Sequence, residues 1–137
     1  MIRQFPYHHE PYDDPVQDSP IVKFWYGLLA HCLKRGCERI HIAPSDSRDT
    51  FTIRACTQGD WEQIMTPPIK MYRAFLQRLK VMASFSLAKQ FPTEQGRLRL
   101  AFRDDVYEIG VTVQVRPDST QEAMIELPSQ PVNGGNE

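Results

Sequence analysis

Residues 19–44 read SPIVKFWYGLLAHCLKRGCERIHIAP, a helical pattern that runs directly into a strand pattern. Ser19 is a suitable N-cap, and Pro20 fits the first helical position because its missing N–H would have no partner there. Apolar residues then recur at helical spacing, and Gly36 can take the left-handed conformation that ends a helix. Alternating isoleucines after it predict a strand over residues 38–43.

The rest of the chain repeats this order of elements. Proline residues open a second helical pattern at 67–68 that extends to about Ala83, and residues 84–96 are predicted to form a long connection. Further strands are predicted over residues 51–56, 61–65, 98–102, 106–115 and 123–127. The order helix, three strands, helix, three strands predicts an α+β fold, in which an antiparallel sheet of about six strands carries both helices on one face.

The 137 residues are enough for one domain with a single core. Residues 1–19 contain three prolines and several acids, and we expect an extended arm there. Residues 20–128 form the predicted α+β domain, and the polar, glycine-bearing residues 129–137 are predicted to be a flexible tail. The Met1 start and the loose end favour a complete small protein.

Charge and composition exclude several classes of partner. A net charge of −1 gives no general attraction to nucleic acid or to anionic lipid. No apolar stretch approaches the length of a bilayer span, and no signal peptide is visible. Three cysteines form no regular framework, which favours reduced thiols in the cytoplasm. We therefore expect a cytoplasmic protein with no nucleic-acid partner, no membrane insertion and no cofactor.

Cysteine and histidine residues raise two chemical alternatives. Cys32, Cys37 and His41 are of the types that bind zinc, but their spacing matches no structural zinc pattern, so no metal site is predicted. Cys56 and His41 could lie on neighbouring strands as a nucleophile and its base, yet no orienting third group is evident. The sequence therefore predicts no catalytic residue, and an enzyme that uses Cys56 with His41 is the third-ranked interpretation.

Several motifs resemble those of the traffic ATPases of type II secretion and type IV pili. The similar runs are PIVK at 20–23, GCERIHIAP at 36–44, MTPP at 65–68, QRLKVMA at 77–83 and PTEQGR at 92–97. The family typically has P-I-V-K, G-A-S-D-I-H-I-E-P, S/T-P-P, S-R-I-K-V-M-A and P-Q-D-G-R in the same order. The resemblance covers residues 20 to about 127 and implies the PAS-like α+β domain that precedes the motor core.

The chain departs from the family at positions that the resemblance links to nucleotide. The family's R-x-R-I-D-G keeps only Arg54 and Gly59, with Cys56 at the second arginine, and Gly110 replaces the arginine of R-V-S. No G-x-x-x-x-G-K-[ST] phosphate loop occurs in the sequence. We therefore expect no nucleotide hydrolysis, unless the chain is an excerpt from a longer protein in which a motor core follows.

Basic side chains supply the candidate binding residues. Their favoured interpretation is a solvated face on each element, and the functional alternative is an acidic partner surface or an anion site. As a non-catalytic interaction module, the chain would contact a motor ATPase, another secretion or pilus component, or a second copy of itself. The candidate partner-binding residues are Lys70, Arg73 and Lys80. As a ligand-binding module, it would hold a nucleotide or small anion against Arg54, Arg97 and Arg99.

Overall fold

The computed structural model of the chain describes residues 20–85 and 92–132. The elements in chain order are α1 (Pro20–Arg35), β1 (Arg39–Pro44), β2 (Phe51–Thr57), β3 (Asp60–Met65), α2 (Tyr72–Met82), β4 (Thr93–Phe102), β5 (Asp105–Val115) and β6 (Gln121–Glu126). The six strands form one antiparallel sheet in the order β3-β2-β1-β6-β5-β4. The α+β class, the strand number and the element order predicted from the sequence are confirmed.

Helix α1 ends as its sequence predicts. Gly36 takes a φ of 76°, a left-handed conformation that glycine adopts without steric cost. Its N–H donates to Leu33 O at 3.2 Å, and the Cys37 N–H donates to Cys32 O at 2.9 Å, so carbonyls of the last turn find partners. The chain can then enter β1 directly after the helix.

Both helices pack on the same face of the sheet, as predicted. Most of the buried residues of α1, α2 and the strands belong to a single hydrophobic cluster. Trp25 of α1 is fully buried, and its ring stacks on Phe75 of α2 with centroids 4.0 Å apart. The Trp25 Nε1–H donates to Phe75 O at 3.1 Å. This pair joins the two helices over the sheet. No helix within residues 20–85 and 92–132 lies on the opposite sheet face, which we call the uncovered face.

Helix α2 begins later than the sequence predicts. Pro68 is extended with a ψ of 141°, and a 3-10 turn at Ile69–Met71 comes before the α-helix. The Ile69 N–H donates to Asp49 O at 2.9 Å, just before β2. Residues 67–69 are therefore held by the start of β2, and the prediction of a helix from residues 67–68 is wrong by about one turn.

The predicted connection 84–96 is wrong at its end, since β4 begins at Thr93 and pairs with β5 from that residue onward. The residues 93–96 are polar and include a glycine, so they give no apolar alternation. Gly96 pairs with Val111 and lies under the end of α2. The close approach of the chain after α2 explains why a strand position is occupied by the residue with the smallest side chain.

Replacing Gly96 with alanine is expected to lower the free energy of unfolding by about 1–3 kcal/mol. A Cβ atom there would lie 2.5 Å from the backbone oxygen of Ala83 and would collide with the Phe85 ring. Gly110→Ala is the matched control on β5, because its nearest atoms are 3.8 Å away. Urea unfolding followed by circular dichroism measures both variants, and equal stability of the two would contradict this packing.

The described part of the C-terminal region contacts the sheet. The Val132 N–H donates to Val106 O at 2.6 Å and forms a bridge with β5. This backbone hydrogen bond lies at the fourth residue of the segment 129–137, for which a flexible tail stays a prediction. Residues 133–137 and the predicted arm at 1–19 lie outside the described residues. Neither described helix has the length and apolar character needed to cross a bilayer.

Candidate functional site

The uncovered sheet face carries polar and charged side chains at β1, β2 and β3. Cys56 on β2 pairs with Arg39 on β1 and Trp61 on β3, and Arg54 pairs with His41. Directly opposed residues of an antiparallel sheet project on the same face. We call the group Arg39, His41, Arg54 and Trp61 the Trp61 face.

Trp61 lies between two cationic side chains. The Arg39 Cζ is 5.7 Å and the Arg54 Cζ is 5.6 Å from the centroid of its ring, within the range of a cation–π contact. The His41 ring meets it edge-on at 6.4 Å. Trp61 nevertheless keeps 37% of its surface exposed. The arrangement presents a rigid aromatic ring and two guanidinium groups to solvent.

A shallow cavity of about 520 Å³ lies beside the Trp61 face. His41 and Glu122 form part of its wall, and His41 Nε2 lies 3.1 Å from Glu122 Oε1. Both side chains are about three-quarters buried, so the contact is shielded from water and fixes the histidine ring. The ring that meets Trp61 is thereby held from the β6 side as well.

The three arginines predicted to bind a small anion are not brought together. Arg54, Arg97 and Arg99 all project on the uncovered face, but β2 and β4 are four strand spacings apart, roughly 19 Å. Arg97 Nη1 lies 3.7 Å from Glu108 Oε2 at an exposed position. The structure therefore does not place Arg54 beside the β4 arginines, as a single small-anion site would require.

A larger groove of about 780 Å³ lies between α2, the β1–β2 loop and the β5–β6 loop. Two of the predicted partner-binding residues, Arg73 and Lys80, line it, together with Arg48 and Arg116 from the loops. The third, Lys70, is exposed in the 3-10 turn and lies outside the lining. We call this surface the basic groove.

Lys80 does not lie on a solvated face, and that prediction is wrong. Only 6% of it is exposed, and its Nζ donates to Gln121 Oε1 at 3.1 Å. Tyr72, Leu76 and Lys80 follow one another at a spacing of four, so all three fall on the same helical row. Because Tyr72 and Leu76 face the sheet, that row carries the lysine under the protein surface.

The β5–β6 end of the sheet is held by hydrogen bonds beside the basic groove. The Tyr72 hydroxyl donates to Gln121 O, and burial raises the pKa of the Tyr72 phenol well above its usual value, so it stays a donor. The Thr120 hydroxyl and N–H donate to Asp118 at 2.6 and 3.0 Å. These hydrogen bonds hold the pKa of Asp118 below its usual value. The loop that carries Arg116 is thereby ordered.

Within the described residues, the cysteines are not assembled into either of the chemical sites considered from the sequence. Cys56 Sγ lies 4.0 Å from Glu38 Oε1, whereas His41 is bonded to Glu122, so the structure does not pair Cys56 with His41. Across residues 20–85 and 92–132, no group of three histidine, cysteine or acidic side chains could hold a metal ion.

The thiols of the native protein are expected to be inert to alkylating agents at neutral pH. All three cysteines are buried, and burial, with Cys37 as a neighbour, raises the pKa of Cys32 to about 12. The reactive thiolate of Cys32 is therefore scarce, and burial keeps the reagent away from all three sulfur atoms until the chain unfolds. Ellman's reagent should react with three thiols in urea and with almost none without it. Rapid reaction of Cys56 in the native state would restore the nucleophile interpretation.

Comparison with known proteins gives a consistent family. The model of the family described as "Type II/IV secretion system protein" matches residues 14–124. The type IV pilus assembly ATPase PilB of Myxococcus xanthus is 30% identical over 85 residues, which are 62% of this chain and 15% of that protein. The type II secretion system ATPase E of Vibrio cholerae is 29% identical over 108 residues, which are 79% of this chain and 21% of that protein.

A third relative extends the match along the chain. The type II secretion system protein E of Xanthomonas campestris is 24% identical over 112 residues, or 82% of this chain and 19% of that protein. The chain thus spans only about a fifth or less of the length of these relatives. The likeness concerns one segment of much longer proteins.

Proposed function

Because the chain belongs to the type II/IV secretion system protein family, we propose that it is a non-catalytic interaction domain that contacts a motor ATPase of such a machinery. Two of the relatives bear the name of an ATPase and are about five to seven times longer than the matched segment. In those relatives the matched segment is therefore joined to several hundred further residues in the same polypeptide. The cytoplasm is the compartment in which we propose this contact is made.

The observation that carries the proposal is the Trp61 face. Tryptophan and arginine are the residues most enriched among those that dominate the energy of protein interfaces. Trp61 is exposed beside Arg39 and Arg54 on a sheet face that no described helix covers. A partner that covers the ring removes apolar area from water and can offer carboxylates to both guanidinium groups.

The 137 residues contain no phosphate loop, and we propose that they perform no hydrolysis themselves. The ligand-binding alternative based on Arg54, Arg97 and Arg99 is weakened by the distance between β2 and β4. Another secretion or pilus component, or a second copy of the chain, is a competing occupant of the Trp61 face. Size-exclusion chromatography distinguishes binding of the ATPase from binding of a second copy of the chain.

The test mixes the purified chain with the type II secretion or type IV pilus ATPase of the same cell. The ATPase is added as a separate polypeptide that includes the motor core. Size-exclusion chromatography with light scattering should show the chain as a monomer alone and in a complex with the ATPase. If the chain forms a dimer and does not bind the ATPase, a second copy of the chain is the occupant of the Trp61 face instead. The proposal fails if the chain neither joins the ATPase nor changes its elution.

A further inference from the structure

We propose that the basic groove binds a small organic phosphate that carries a di- or polyphosphate group, with Lys80 as its central ligand. The inference stands on the groove alone and does not depend on a protein partner at the Trp61 face. Arg54, Arg97 and Arg99 are dispersed over the sheet, whereas the structure brings another set of cations together around the groove. Those cations are Arg48, Arg73, Lys80 and Arg116.

Lys80 has a cationic group that is buried in the wall of the groove. An ammonium group has three donors, and a buried charge normally has an ionic partner. Lys80 is only 6% exposed, and its Nζ donates to one neutral oxygen, Gln121 Oε1 at 3.1 Å. Within residues 20–85 and 92–132, no carboxylate lies within 4.0 Å of this nitrogen. Among the described residues, Gln121 Oε1 is the acceptor that the Lys80 ammonium group contacts, so an anion in the groove can accept its further hydrogen bonds.

The lining of the groove carries a net positive charge. Its lining has four cationic side chains and two acids, Asp46 and Asp118, which gives 4 − 2 = +2 at neutral pH. The whole chain carries −1, so positive charge is concentrated here against the average. Asp118, which accepts two hydrogen bonds from Thr120 and whose pKa is also lowered by the charges of Arg116 and Arg48, is already counted in this balance.

The volume and the lining of the groove indicate the size and chemistry of its ligand. A volume of about 780 Å³ lies in the range of sites for small organic molecules and exceeds what inorganic phosphate alone would fill. Guanidinium groups match phosphate oxygens with two parallel hydrogen bonds. Ile69, Leu76 and Val115 add apolar walls beside the cations. This combination suits an organic group attached to linked phosphates.

The test is calorimetric titration of the purified chain with pyrophosphate and with ADP, and with inorganic phosphate as a weaker probe. Pyrophosphate and ADP should bind with dissociation constants below 1 mM, and binding should weaken as salt increases. Lys80→Met should weaken binding about 10-fold or more, because it removes a charged donor from the site. Lys70→Met removes the same charge outside the groove and should change the affinity less than about 2-fold.

Two further measurements keep the test decisive. Lys80→Met should be at least as stable to urea as the parent chain, because an unpaired buried charge is replaced by an apolar group of similar size. If it does not fold, Arg48→Gln with Arg73→Gln takes its place and leaves Arg116, which also lines the cavity beside Trp61, unchanged. Hexaglutamate is titrated as an anionic probe without phosphate. The proposal is overturned if pyrophosphate and ADP do not bind up to millimolar concentrations, if only hexaglutamate binds, or if Lys70→Met weakens binding as much as Lys80→Met does.

Discussion

Replacing Trp25 with alanine is expected to lower the free energy of unfolding by about 3–5 kcal/mol, a large part of the stability of a domain of this size. The side chain is fully buried, and its ring stacks on Phe75 with the planes 9° apart. Alanine would leave a cavity where α1 meets α2. It would also leave the Phe75 carbonyl without the hydrogen bond that Trp25 Nε1 now donates.

Urea unfolding followed by circular dichroism at 222 nm measures this loss without depending on tryptophan fluorescence. Trp61→Ala is the matched control, because it removes the same side chain from an exposed position and should change stability by less than about 1 kcal/mol. Trp25→Phe should fall between the two, since it keeps an aromatic ring but not the donor. Equal midpoints for Trp25→Ala and Trp61→Ala would show that the helices are not joined as described.

Replacing Trp61 with alanine is expected to weaken binding of the motor ATPase by about 30-fold or more, which corresponds to about 2 kcal/mol at the centre of an interface. The effect arises from the loss of the ring and from the release of Arg39 and Arg54, which the ring now holds in place. Folding should be nearly unchanged because the ring lies outside the hydrophobic core cluster.

Val81→Ala is the control for that prediction. Val81 on α2 is 37% exposed, as Trp61 is, but it lies on the helical side of the domain. Its loss should change the affinity less than about 2-fold, because single exposed apolar residues contribute little outside an interface. If Val81→Ala weakens the complex as much as Trp61→Ala does, the contact is on the helices and the Trp61 face is the wrong surface.

The local elements of this fold could be predicted because their signals are local. The cap at Ser19 and Pro20, the helical stripe and Gly36 placed α1, and alternation placed most strands. The start of β4 could not be predicted in this way. Its first residues are polar, and Gly96 is required there by the chain that passes over it after α2.

The candidate sites could not be predicted in the same way, because they depend on which strands are neighbours in the sheet. Strand β6 lies between β1 and β5, and this insertion is what separates Arg54 from Arg97 and Arg99. Conversely, Lys80 could have been predicted to be buried, since it lies four residues after Leu76 on the same row. Trp61 was overlooked although the β2–β3 hairpin places it two register pairs from Arg54, on the same face of the sheet.

The surface that contacts the motor ATPase can be mapped most directly by NMR. The ¹H–¹⁵N amide spectrum of the ¹⁵N-labelled chain is recorded during titration with the motor ATPase of the same machinery. We expect the amides that shift or broaden to cluster on β1, β2 and β3 around Arg39, Arg54 and Trp61. The exposed side of α2 around Val81 should be much less affected. Changes confined to the helices, or no change at ATPase concentrations well above those of the labelled chain, would contradict the assignment of the uncovered sheet face as the partner-binding surface.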